Sequence, residues 1–256
     1  MSKGYVREEI IDTLNSFHPI GLDKMGSIKL MNRVDTKYIL SWDTLTVVLQ
    51  LAMPDYRVQE VMGERDIAYR TIYLDTLDKA MYRAHQNGRA VREKIRVRTY
   101  VSSSLTFLEV KNKDNKGRTD KKRIRVSDLG SLSDEGGDQF LSSNAWYRLP
   151  QLAPQIENSF RRITLVNNAM TERLTIDTEI CFQNLINKKT TSLPHIVVME
   201  LKQDGHAYSP ISEILHALHV RPGSFSKYCM GCALTDNALK QNRFKPKIHK
   251  LSKYIQ

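Results

Sequence analysis

The chain is short of acid, of cysteine and of long apolar runs, and each shortage excludes something. Its 28 Asp and Glu face 39 Lys and Arg, a formal charge of +11. That excess calls for an acidic partner: nucleic acid, an anionic membrane or a phosphate-rich small molecule. No segment approaches the ~18 consecutive apolar residues of a membrane-spanning helix, and the opening MSKGYVREEIIDTLNSF carries charges where a secretory signal needs an apolar stretch. A cytoplasmic protein without a membrane span is expected. The cysteines are Cys181, Cys229 and Cys232, and the CMGC pair has neither the second pair nor the histidines that a structural zinc site requires. Buried or incidental thiols are the expected reading, with redox chemistry at Cys229 and Cys232 as the alternative. There is no GxxxxGK[ST] phosphate loop and no Ser/His/Asp set. His18, His85, His195, His206, His216, His219 and His249 are scattered, and none is expected to be catalytic. Specific nucleic-acid binding lacks an RNP-like aromatic pattern or a recognition-helix signature.

What is present suffices for a sizeable core: 256 residues, 41% of them hydrophobic. Val6, Ile10, Ile11, Leu14 and Phe17 are spaced for one face of a helix over 5–18. Ser41 caps a second helix over 41–51, and LDKAMYRAHQNG reads as a third, stopped by Asn87-Gly88. Strand patterns occupy 56–62, 66–75, 90–101, 105–113, 118–127, 158–167, 171–182 and 194–204. A polar loop with one short helix lies near 128–144, and SPISEILHALHV is a further helix ended by Arg221-Pro222-Gly223. With no repeat and no clear linker, a single domain over 1–256 is expected, with a basic tail at 240–256 that is solvated or touches anionic polymers or lipids.

The strands have an unusual second face. In REKIRVRTY, Ile95 and Val97 point one way while Lys94, Arg96 and Arg98 point the other. Leu108 and Val110 likewise oppose Glu109 and Lys111, and Lys122, Ile124 and Val126 oppose Lys121, Arg123 and Arg125. Leu174 and Ile176 oppose Arg173, Thr175 and Asp177; Val197, Met199 and Leu201 oppose Val198, Glu200 and Lys202. A single such strand reads as the wet edge of an ordinary sheet. Five together fit an α+β fold in which an antiparallel barrel is covered outside by helices and turns its charged face inward. Cations in a basic lumen need a compensating polyanion, and guanidinium forks suit phosphate oxygens. Glu109 and Glu200 then either pair with those cations or hold Mg²⁺ or Mn²⁺.

The series Arg33-Val34-Asp35-Thr36-Lys37-Tyr38, Tyr73-Leu74-Asp75-Thr76, Arg96-Val97-Arg98, Leu108-Glu109-Val110-Lys111, Thr119-Asp120-Lys121-Lys122-Arg123, Arg173-Leu174-Thr175-Ile176-Asp177, Glu200-Leu201-Lys202 and Ser226-Lys227-Tyr228-Cys229 resembles the VTC domain. This is the polyphosphate polymerase domain of vacuolar transporter chaperones and their stand-alone bacterial relatives, within the triphosphate tunnel metalloenzyme superfamily. The resemblance runs from about residue 28 to 234. It implies a triphosphate tunnel whose members with polymerase activity move the γ-phosphate of ATP to a growing polyphosphate chain. Carried over, the phosphate contacts are Lys37, Arg96, Arg98, Lys111, Lys121, Arg123, Arg162, Arg173, Lys202 and Lys227. Lys37, Arg96, Arg98, Lys111, Arg173 and Lys202 form the catalytic set, and Glu200, with Glu109, holds Mn²⁺ or Mg²⁺.

Two departures matter. Phe160 stands where the family commonly has tyrosine, and no phosphate-sensing SPX domain or membrane segment is found, so the regulation and export of the vacuolar complexes are not expected. The superfamily's hydrolases usually open on an ExExK strand, whereas Arg33, Asp35 and Lys37 bring one carboxylate instead of two. That favours a polymerase-like enzyme over a triphosphatase, and a non-catalytic polyphosphate-binding module is the third possibility. ATP and polyphosphate, or another triphosphate-containing anion, are the expected ligands.

Overall fold

The computed structural model describes residues 3–25, 33–205 and 208–252. The side chains of Val6 and Arg33, together with His206, residues 28–32 and the end of the basic tail from 253, lie outside the described residues. The helices are α1 (Lys3–Ser16), α2 (Leu22–Met25), α3 (Trp42–Ala52), α4 (Ala80–Gln86), α5 (Gly137–Asn144), α6 (Pro210–Ala217), α7 (Lys227–Thr235) and α8 (Lys245–Ser252). The strands are β1 (Pro19–Ile20), β2 (Arg33–Leu40), β3 (Tyr56–Gln59), β4 (Asp66–Asp75), β5 (Arg92–Tyr100), β6 (Leu105–Lys113), β7 (Thr119–Val126), β8 (Ala153–Asn167), β9 (Glu172–Asn184), β10 (Thr190–Leu193), β11 (Val197–Asp204) and β12 (Pro222–Gly223).

The fold is α+β with a large antiparallel sheet, hydrogen-bonded in the order β12-β2-β11-β9-β8-β4-β5-β6-β7, with β10 on β9 and the parallel pair β1 and β3 attached through β8. This is the α+β antiparallel architecture that was expected; among the described residues β12 and β7 end the order without pairing with each other, so hydrogen bonding leaves the sheet short of a strictly closed barrel. The reason lies in the end strands. β12 is two residues long and starts with Pro222, which has no N–H to donate, and β7 is exposed from Asp120 to Arg123. Among the described residues no helix is long and apolar enough to cross a membrane.

The chain forms two compact units that interleave along the sequence: Met1–Ile67, Arg161–Glu179 and Pro194–Phe225 make unit 1, and Ala68–Phe160, Ile180–Leu193 and Ser226–Gln256 make unit 2. In unit 1 the alternation of the strands decides the core. Tyr38, Leu40, Leu174, Ile176, Val197, Met199 and Leu201 join Ile10 and Leu14 of α1, Leu45, Val48 and Leu49 of α3, and Ile211 and Leu215 of α6 in one buried cluster. α3 starts where Ser41 Oγ accepts the Thr44 N–H at 3.2 Å. Ile11, read as part of the apolar face of α1, is exposed.

In unit 2, Ile95, Val97, Leu108 and Val110 are buried, and α5 packs on β6 and β7. Asp75 is fully buried and organises the start of α4. Its carboxylate accepts the N–H groups of Thr76 (2.8 Å), Met81 and Tyr82 (both 3.0 Å) and the hydroxyl of Tyr228 on α7 (2.6 Å). Within the basic tail, expected to be solvated or to touch anionic polymers or lipids, Lys245–Ser252 forms α8, preceded by the buried ring of Phe244.

Candidate phosphate-binding faces

In unit 1 the charged face of β2, β11 and β9 is set by register. Glu200 lies opposite Lys37 on one side and Thr175 on the other; Lys202 lies opposite Asp35 and Arg173. Lys37 Nζ meets Glu200 Oε1 at 2.7 Å and Lys202 Nζ meets Oε2 at 2.6 Å, so one carboxylate is straddled by two ammonium groups. Burial alone would raise the Glu200 carboxyl, but the two lysine charges outweigh it and hold the group well below the usual carboxylate range. Burial also pushes the Lys202 ammonium down, to about 8, against the pull of Glu200. Beside them Arg162 gives a two-pronged bond to Asp177, Nε to Oδ1 at 2.5 Å and Nη2 to Oδ2 at 2.8 Å.

In unit 2 the corresponding face belongs to β4, β5, β6 and β7. Arg96 pairs across β5 and β6 with Glu109, which in turn faces Arg123 on β7, while Lys111 faces Lys94 and Lys121. Arg96 Nε donates to Glu109 Oε2 at 2.7 Å and Lys121 Nζ to Oε1 at 3.0 Å. Glu109 is enclosed; burial would raise its carboxyl, yet the charges of Arg96, Arg98 and Lys121 hold it far below the usual range. Arg98 is buried, reaches Thr71 Oγ1 at 3.3 Å and lies over the Tyr69 ring at 5.6 Å. Arg123 lies over Phe107 at 4.4 Å. Phe160 stacks on Tyr69 at 5.2 Å and carries Lys227 Nζ at 4.4 Å from its ring centre. The ring thus holds a cation.

The residues expected at the site therefore fall into two sets. Unit 1 brings together Lys37, Arg162, Arg173, Glu200 and Lys202, and unit 2 carries Arg96, Arg98, Glu109, Lys111, Lys121, Arg123 and Lys227. Sequence reasoning assigned no role to Tyr73, which lies opposite Arg96 and hydrogen-bonds it, or to Asp75. For Tyr73 the signal was available, since a strand beside β5 must offer side chains to the same face. Cys229 and Cys232 are buried free thiols whose pKa values burial pushes up, which suits inert packing; Cys181 is exposed. His85 Nδ1 lies 3.1 Å from Cys229 Sγ, and burial, with nearby cations, lowers its pKa to about 2, so it is a neutral ring.

The sequence profile of the VTC domain matches residues 32–236. The chain belongs to the VTC domain family. With the VTC domain comes the triphosphate tunnel superfamily, whose enzymes act on triphosphates with divalent metal ions. No curated protein matches the chain. Among solved structures, an adenylate cyclase candidate from Vibrio parahaemolyticus is 13% identical, covers 79% of this chain and 99% of its own, and has a TM-score of 0.45. An adenylyl cyclase candidate from Hippeastrum, described as having a dominant triphosphatase activity, is 9% identical, covers 78% and 95%, and scores 0.44. Likeness of this degree carries no weight for the chemistry of a VTC domain.

A divalent metal ion of the Mg²⁺ or Mn²⁺ kind would meet two carboxylates on the charged faces, Glu200 and Glu109. Such ions take one or two carboxylates and draw their remaining ligands from water and phosphate. Both carboxylates are held on both oxygens by cations, but the Glu200 side chain keeps 17% exposure whereas that of Glu109 keeps 1%. Among the described residues no group of three or more His, Cys, Asp or Glu is placed to hold a metal.

Proposed function

We propose that this protein is a polyphosphate polymerase-like enzyme that transfers the γ-phosphate of ATP to the end of a polyphosphate chain, with Glu200 as the carboxylate for Mn²⁺ or Mg²⁺. The observation that carries this reading is the repeated arrangement of one ionised carboxylate straddled by two cations, Lys37 and Lys202 on Glu200, Arg96 and Lys121 on Glu109. Each carboxylate holds its cations in place, and phosphate oxygens can take over the same donors.

The phosphorus of the γ-phosphoryl group is electrophilic and the terminal phosphate of the chain attacks it, so no side-chain nucleophile is needed. Lys37, Arg173 and Lys202 bind and orient phosphate oxygens on the unit 1 face. Arg96, Arg98, Lys111, Lys121, Arg123 and Lys227 do so on the unit 2 face. Positioning and neutralisation of the charge on the transferred group supply the rate enhancement. A bound divalent ion would add further charge neutralisation at the phosphate oxygens.

The test is incubation with ATP and Mn²⁺ or Mg²⁺, following ADP, inorganic phosphate and chain length together. ADP with growing chains is expected, and Glu200→Gln should abolish most of that turnover. ADP with stoichiometric phosphate and no chain would instead identify a triphosphatase. Tight polyphosphate binding without turnover would identify a binding module.

A further inference from the structure

The row of cations on β5 does not stop at Arg96 and Arg98. Period 2 places Arg92 and Lys94 on the same face, where they lie opposite Lys113 and Lys111 of β6. From Arg98 to Arg92 is six residue steps, about 20 Å of strand at ~3.3 Å each. Among the described residues of β5, β6 and β7, Glu109, opposite Arg96, is the one carboxylate on this face; Glu93 and Asp120 fall on the other. Toward Arg92 the face is cationic.

At that end the C-terminal segment adds two more cations, Arg243 and Lys247, on an anchored backbone. Phe244 is 1% exposed, with its ring 5.6 Å from those of Tyr82 and His85 on α4. The Tyr82 hydroxyl donates to Lys240 O at 3.0 Å, and the Gln86 side-chain oxygen, with its amide oriented by this network, accepts the N–H groups of Asn242 and Arg243 at 3.3 and 3.2 Å. Arg243 is thereby laid across Gly88: a Cβ there would come within 2.6 Å of Nη1, so the glycine leaves room for the guanidinium. Lys247 Nζ stands 5.7 Å from the Phe244 ring centre.

Lys94, Arg92, Lys247 and Arg243 all lie near enough to the neutral His85 to lower its proton affinity, and Arg92, Arg243 and Lys247 also act on one another. Among the described residues none of the three forms an ion pair with a carboxylate. Burial lowers the pKa of Arg92 and of Lys247, and the neighbouring cations lower both further. Cations fixed together without counter-charge repel, and an anion bound among them relieves that repulsion. Arg243 and Lys247 also lie beyond residue 236, where the VTC match ends.

We propose that Arg92, Arg243 and Lys247 form a second phosphate subsite, built by a segment outside the family domain, which holds the distal phosphates of a chain longer than a triphosphate. The proposal rests on the reading of the charged faces as phosphate-binding. It adds that affinity depends on chain length through the C-terminal segment. Guanidinium and ammonium groups on this scale select linear phosphate oxyanions, and each charge-assisted contact is worth about ten-fold in affinity.

The test compares calorimetric titrations of inorganic triphosphate and of long-chain polyphosphate into the wild-type protein, the double variant Arg243→Ala/Lys247→Ala, and Arg96→Ala. The double variant should bind triphosphate within about two-fold of wild type and long-chain polyphosphate at least about ten-fold more weakly. Its long-chain affinity should also fall less steeply with salt. An unchanged long-chain affinity would overturn the subsite, and so would an equal loss for both ligands, which would assign these cations to the main face or to the fold. Arg96→Ala separates the two readings. If it leaves triphosphate binding intact, the function proposed for the main face fails, whatever the double variant shows.

Discussion

Lys202 is where solution pH reaches the basic face of unit 1. Burial brings its pKa down to about 8, below the ordinary lysine value. Phosphate oxygens need the ammonium form, so binding takes up a proton once the free protein has lost it. Triphosphate affinity should hold up to pH 8 and fall above it, by at most about ten-fold per pH unit for one proton. Titrations at pH 7, 8 and 9 should show this slope in the wild type, and Lys202→Arg, which keeps its proton throughout, should flatten it. A slope that survives in the arginine variant would assign the proton to another group. At this scale the sequence was informative about direction and silent about partners. Alternation alone put Arg96, Glu109, Glu200 and Lys202 on charged faces, because side chains on a strand leave no third choice, whereas Lys37 came from the family resemblance. That Lys37 and Lys202 share the oxygens of Glu200 depends on the register of β2 against β11, which no local pattern encodes. Arg162 was legible as a cation, but its two-pronged bond to Asp177 was not.

α4 and α7 are joined through one carboxylate, and that joint can be measured. Removing Asp75 leaves the N–H groups of Met81 and Tyr82 and the hydroxyl of Tyr228 without their acceptor in a fully buried place. Asp75→Ala should therefore cost about 3 kcal/mol of unfolding free energy, and Tyr228→Phe, which loses one bond and keeps the ring against Tyr73, about 1 kcal/mol. Denaturant unfolding of both variants checks the ratio; equal losses would mean that the caps on α4 carry no energy. Elements with punctuation were readable. α3 has its Ser41 cap and α4 its Asn87-Gly88 stop, with Gly88 at φ 74°. β5, β6 and β7 alternate cleanly. The first third of β8, before residue 158, was missed because Gln155 is polar yet buried, accepting from Lys79. α7 was missed for the opposite reason. Tyr228 to Ala233 are buried without a break, so no wet face marks a helical period.

Across the whole molecule, local and distant pairings are unevenly shared between the units. β5, β6 and β7 follow one another in the chain and pair as neighbours. β2 ends at Leu40, and its partner β11 begins only at Val197. Closing a loop of about 160 residues costs roughly 4–5 kcal/mol in chain entropy before any contact repays it. The meander should therefore gain order first, and pulse-labelled hydrogen exchange during refolding should protect β5–β7 amides ahead of those of β2 and β11. Simultaneous protection would show that the distant pairing belongs to the nucleus. Interleaving also sets a condition on synthesis from a ribosome. Tyr38, Leu40, Leu45, Val48 and Leu49, all destined for the unit 1 core, emerge long before Val197, Met199 and Leu201 exist to cover them. At ~5–20 residues per second that wait lasts on the order of ten to thirty seconds, and for that interval the nascent chain presents a sticky strand and helix to whatever chaperone or neighbouring chain is nearest.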